Sequence, residues 1–220
     1  MAGDPNGPYN WRNGDGNNDI LRKILNWFAA LGAGTKTIAV SIADAVAFTI
    51  SGIVSGTGYT ASDSVTRANT VTGYTAGDVI STAVGENLEF AGIGPESMTA
   101  IAPKVIITQA KLRIDAASIP SGMTYFRLHL WNTNPTAIAD NDPFNLIAAD
   151  REGYQGFIEF PIPLDLGDTL YVETEAMNYA TRKEVDLTLT GNLYGQLQTV
   201  GSYTPVANTV YNVELKAVSV

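Results

Sequence analysis

From about Tyr74 onward the chain alternates apolar and polar residues with a period of two, and no other feature constrains its fold as tightly. In "TQAKLRID", Ala110, Leu112 and Ile114 fall on one side, with Gln109, Lys111, Arg113 and Asp115 on the other. "YFRLHLW" repeats the pattern, setting Phe126, Leu128 and Leu130 against Tyr125, Arg127, His129 and Trp131. Successive side chains of a strand point to opposite faces, so these runs predict strands with one buried side. "FIEF", "TLYVETEA", "DLTLTGNLYGQLQ" and "TVYNVELKAV" continue the pattern between Pro-, Gly- and Asn-bearing connections. Roughly eight strands of ordinary length fit in this stretch. The expected architecture is all-β: a β-sandwich or jelly-roll domain over residues 74–220, preceded by an extended N-terminal arm, residues 1–73, with one short helix near 19–31.

Composition agrees. The 220 residues are 45% hydrophobic, ample for a buried core, and only 16% charged. There is no Cys, which excludes disulfide staples, thiolate metal sites and cysteine nucleophiles. The net charge is −9, and residues 1–58 hold four basic and four acidic side chains, so the whole excess lies on the β-domain. An acidic body argues against direct contact with nucleic acid, which needs a positive surface.

The opening "MAGDPNGPYNWRNGDGNND" lacks the basic start and apolar core of a secretory signal and reads as a Gly/Asn-rich leader. In "NNDILRKILNWFAALGAG", Asn18 or Asp19 can cap a helix whose apolar positions include Ile20, Leu21, Ile24, Leu25, Trp27, Phe28 and Leu31, with Gly32 and Gly34 stopping it. Its broad apolar face fits either docking on another protein or packing on its own domain. Ile38 to Val54, "IAVSIADAVAFTISGIV", is at the short limit for a membrane span, and Asp44 near its middle would cost roughly 2.5–3.5 kcal/mol. No membrane crossing is expected; the segment suits extended chain that gains strand partners. "TGYTASDSV" and "TGYTAGDVI" echo each other from Thr57 and Thr72, reading either as two similar strand entries at one sheet edge or as common turn chemistry met twice.

Candidate chemistry is sparse. His129 is the only histidine, which excludes a histidine metal cluster, and it sits on the polar side of its strand. Glu173 and Glu175 share a strand face about 7 Å apart, but catalytic carboxylates oppose each other across a cleft in unlike environments. "IADNDPFNLIAADREGY" gathers Asp140, Asp142, Asp150 and Glu152. Counting from Asp140, the sixth and twelfth positions are Asn145 and Arg151, where an EF-hand needs Gly and Glu. A looser calcium site stays open beside the simpler reading of an Asx-rich turn, with Phe144 and Leu146 pinning the loop on the core and Asp150 and Arg151 in surface ion pairs. No phosphate loop, G-x-S-x-G or H-E-x-x-H occurs. No catalytic residue, cofactor or metal ligand is assigned.

"GYTAGDVI", "AIADNDPFNL", "DLGDTLYVETEA" and "LYGQLQTVGSYTPVANTVYNVELKAV", within residues 73–218, resemble auxiliary virion proteins of tailed double-stranded-DNA bacteriophages. The resemblance implies a non-enzymatic capsid decoration or cement protein on the virion's capsid surface. It further implies a β-rich homotrimer with an extended arm, and the major capsid protein as partner. The arm helix would then supply the contact through Ile20, Ile24, Trp27, Phe28 and Leu31. Thr35 to Gly58 could reach at most about 80–86 Å when extended. The alternative is a carbohydrate- or receptor-binding module of a phage fibre, for which Tyr125, Trp131, Tyr154, Tyr171 and Tyr194 would have to share one open face. A polysaccharide-degrading enzyme would need two carboxylates opposed across a groove.

Overall fold

The structure is a computed structural model that describes residues 57–96, 102–175 and 183–220. The expected helix near 19–31, its five contact residues and the 38–54 segment lie outside the described residues. The compact unit that holds the described chain runs from Ser55 to Val220.

Among the described residues the fold is all-β, as the alternation predicts. The strands are β1 (Gly58–Thr66), β2 (Val79–Ile80), β3 (Leu88–Phe90), β4 (Lys104–Ile114), β5 (Phe126–Trp131), β6 (Tyr154–Phe160), β7 (Leu164–Asp165), β8 (Leu170–Glu175), β9 (Lys183–Asp186), β10 (Leu193–Thr199) and β11 (Val210–Ser219). One short 3-10 turn, Ala148–Asp150, stands between β5 and β6. One sheet runs β1-β11-β4-β8-β7, with β9 also pairing β4; the other runs β2-β10-β5-β6, with β3 also pairing β10. Every strand pairing is antiparallel.

Leu112 and Ile114 of one sheet and Phe126, Leu128 and Leu130 of the other are fully buried in a single apolar core between the sheets. Burying each such side chain contributes about 1.5–3 kcal/mol, so the sandwich is held chiefly by this layer. The alternation in β4 changes phase, since Val105 and Ile107 point inward as well as Ala110 and Leu112. The β4–β11 ladder explains it. Ile107 faces Ala217 and Gln109 faces Lys216, leaving Thr108 as the extra residue of a bulge. Its hydroxyl donates to the Lys216 carbonyl at 3.2 Å.

β1 lies inside the stretch that the alternation alone assigned to the arm. It forms a continuous nine-residue ladder with β11 and directs Ala61 and Val65 into the core. Its small and hydroxylated residues hide that role from sequence. The two echoed segments end in different sheets, β1 at an edge of one and β2 at an edge of the other. Tyr74, in the second copy, is buried.

Candidate functional site

His129 and Trp131 lie on the outer face of the five-stranded sheet, where the connection between β5 and β6 folds back across it. β5 lies between β10 and β6, with its even-numbered apolar residues in the core. His129 and Trp131 point outward, yet they are only 5% and 1% exposed. Phe144 covers them. Its ring stacks on His129 with centroids 3.8 Å apart and planes at 16°, and lies 6.2 Å from Trp131. Tyr154 and Phe157 of β6 close the cluster, at 6.0 Å and 5.7 Å from the His129 ring.

Both nitrogens of His129 are engaged. Nε2 donates to Gln198 Oε1 at 3.1 Å, while Nδ1 accepts from the Tyr154 hydroxyl at 2.9 Å; Gln198 in turn donates to the Gly77 carbonyl. This tautomer follows from the acceptor character of Gln198 Oε1. Burial pushes the His129 pKa down to about 4, with nearby Arg127 adding to the effect and the Gln198 bond opposing it. The imidazole is therefore neutral near pH 7 and acts as a packed, hydrogen-bonded group beneath Phe144.

Asp140 and Asp150 each have a separate structural task. Asp140 Oδ1 accepts from the Tyr74 hydroxyl at 2.6 Å and from the Ser81 amide at 3.3 Å. Its Oδ2 accepts from Arg67 Nε at 3.4 Å and from a terminal guanidinium nitrogen at 3.3 Å. Arg67 also donates to the Thr70 and Thr72 carbonyls, and its guanidinium lies 5.0 Å from the Tyr74 ring centroid. A cation at Asp140 would have to break this ion pair. Asn141 takes a left-handed φ of 70° at the turn, and Asp142 is exposed. Asp150 accepts from the Thr136 amide at 3.1 Å, and its carbonyl accepts from Trp131 Nε1 at 3.1 Å. It thus anchors the loop; no ion pair joins Asp150 or Arg151 among the described residues. Phe144 pins the loop on the outside of a sheet rather than on the core between the sheets. Among the described residues no three His, Cys, Asp or Glu side chains are grouped to hold a metal.

The carboxylates of β8 lie on the other sheet. Glu173 accepts from Gln109 and from the Tyr171 hydroxyl, on a face that also carries the Lys111–Glu214 pair at 2.9 Å. The Glu175 side chain lies outside the described set. The five rings of the sugar-platform reading do not gather: Trp131 is buried and Tyr171 belongs to the opposite sheet from Tyr125, Tyr154 and Tyr194. An open depression of about 490 Å³ borders the loop, lined by Val84, Ile138, Asp142 and Pro143 among others. Arg127 lies over Phe157 and Tyr125, at 5.1 and 5.7 Å from their ring centroids, and pairs with Glu159 at 3.2 Å. Among the described residues no helix is long and apolar enough to cross a membrane.

What sequence reasoning missed is Arg67, a fully buried cation in a segment assigned to the arm. Its only signal was a lone Arg between apolar Val65 and the turn-rich "ANTVTGY".

The fold thus defines an antiparallel two-sheet β-sandwich with an aromatic cluster and a buried ion pair fastening the long loop between β5 and β6. No family model matches the sequence, and no curated protein matches it. Among solved structures, a chain of the tomato aspermy virus crystal structure is 9% identical, covering 90% of this chain and 93% of that one, with a TM-score of 0.29. A chain of Desmodium yellow mottle tymovirus is 11% identical, covering 85% and 95%, with a TM-score of 0.24. A bacterial lipoprotein from Bacteroides thetaiotaomicron is 9% identical, covering 74% and 84%, with a TM-score of 0.28. At such TM-scores none of the three carries a functional argument.

Proposed function

We propose that this chain is a structural virion protein that decorates or cements a phage capsid by binding the lattice of the major capsid protein. The observation that carries the reading is how the chemistry-bearing groups are used. His129, Asp140, Asp150 and Arg67 are each spent on holding the long β5–β6 loop to the sheets, which is the behaviour of a scaffold. The sequence resemblance over residues 73–218 supports the same role. Contact with the capsid is assigned to the arm, through Ile20, Ile24, Trp27, Phe28 and Leu31, because these residues would form one apolar helical face outside the sandwich.

The test is co-sedimentation of the purified full chain with undecorated capsids. Saturable binding at a fixed number of copies per capsomer supports the role. Absence of binding at micromolar concentration, with the sandwich folded by circular dichroism, removes it.

A further inference from the structure

A sheet edge offers unpaired N–H and C=O groups, and folded proteins protect such edges by shortness, proline, charge, bulges or a covering loop. Most edges here are protected. β7 has two residues and follows Pro161 and Pro163. β2 also has two, and the turn at 141–142 covers it, with the Val79 amide donating to the Asp142 carbonyl and the Asn141 amide to the Val79 carbonyl. β6 is interrupted by a register shift at Gly156, whose φ is 87°. β9 carries Lys183, Glu184 and Asp186 in four residues, and Gln155 receives the Asp186 amide.

β1 is different. It has nine residues, no proline, no lysine and an unbroken register with β11. The Ser219 amide donates to the Thr57 carbonyl, and the Arg67 amide donates to the Thr209 carbonyl. Odd-numbered residues therefore direct their backbone groups toward β11, and alternation turns those of Gly58, Thr60, Ser62, Ser64 and Thr66 toward the other side. All five of these residues are exposed. The one charge on the strand, Asp63, accepts from the Glu89 amide at 2.7 Å through one oxygen and from the Ser64 amide at 2.8 Å through the other, which takes up one outward donor and leaves those of Gly58, Thr60, Ser62 and Thr66 for a partner strand.

We infer that the edge of β1, which has no second strand partner among the described residues, is a self-association surface, where β1 of a second copy pairs antiparallel across a two-fold axis through Ser62. The sequence of the strand suits that occupant. Centred on Ser62, all nine residues overlap. Thr60 meets Ser64 of the other copy and Ser62 meets Ser62, and such hydroxyl pairs are favourable across strands. Asp63 then faces Ala61, so no like charges are opposed. The contact is isologous and joins copies in pairs, unlike the trimer that the phage resemblance implies. It does not rest on the virion reading, since it concerns the free chain.

The experiment is sedimentation velocity on the full chain at tens of micromolar, comparing wild type with Ser62→Thr, Ser62→Lys and Ser62→Pro. The Ser62 amide faces away from β11, so proline removes an outward donor and leaves the intrachain ladder complete. Lysine places two cations opposite each other at the axis. The expected result is a dimer for wild type and Ser62→Thr, weakened by about tenfold or more in the other two, with far-UV circular dichroism unchanged. A wild-type monomer or trimer overturns the inference, as does a folded Ser62→Lys variant that dimerises as tightly as wild type. If Ser62→Pro misfolds, Ser62→Lys decides. Capsid co-sedimentation is read separately, so failure of the dimer leaves the virion reading standing.

Discussion

The Arg67 guanidinium and the Asp140 carboxylate, distant in the chain, meet at 3.3 Å with side chains only 0% and 3% exposed. They tie the exit of β1 to the β5–β6 loop that covers the other sheet. Removing one partner strands a buried charge, whereas replacing both by apolar groups does not. Asp140→Leu or Arg67→Met alone is expected to cost about 3–5 kcal/mol in urea unfolding, and the double variant clearly less than the sum. Additive losses would show that the pair is not coupled.

His129 predicts an acid-sensitive stability. Its folded pKa of about 4 lies below the ordinary 6.5, so the unfolded chain binds the proton more readily. Its contribution is complete above pH 6.5 and is lost as the pH falls toward 4, about 3 kcal/mol over that window. In His129→Gln, urea midpoints measured from pH 7 to pH 4 are expected to fall less steeply than in wild type. Parallel curves would exclude this source.

Thr108 is the extra residue of the β4 bulge. Deleting it would set the Ile107–Ala217 and Gln109–Lys216 pairs side by side in a regular ladder, with Val105 and Ile107 still inward, so the expected loss is only about 1 kcal/mol. Thr108→Ala keeps the phase and loses only the hydroxyl bond to Lys216, about 1 kcal/mol. Thermal unfolding followed by circular dichroism should place both variants within a few degrees of wild type, and a much larger loss on deletion would show that the bulge itself holds the β4–β11 pairing.

The arm carries the functional claim. Removal of residues 1–54 is expected to leave the β-unit folded, since that unit begins at Ser55, while weakening capsid co-sedimentation. Trp27→Ala and Phe28→Ala should reproduce much of the loss, at about 2 kcal/mol each for aromatic residues buried in an interface. Binding of the truncated chain as tight as that of the full chain would move the contact surface onto the sandwich.

The sequence by itself determined the fold class and the inward faces of its regular strands. Ala110, Leu112 and Ile114 in β4, and Phe126, Leu128 and Leu130 in β5, are read from alternation because pleating is local and has a period of two. Other features depended on pairings between distant segments. His129 and Trp131 occupy positions that alternation marks as polar, and they are buried because Phe144 folds over them. Arg67 looks like a surface cation until Asp140 is brought to it. β1, with its Ser, Thr and Gly residues, carries little hydrophobic signal, and its place in the sheet came from the β11 ladder. Local periodicity reports which side of a strand seeks an apolar neighbour; only tertiary structure decides which segment supplies that neighbour, or covers the other side as well.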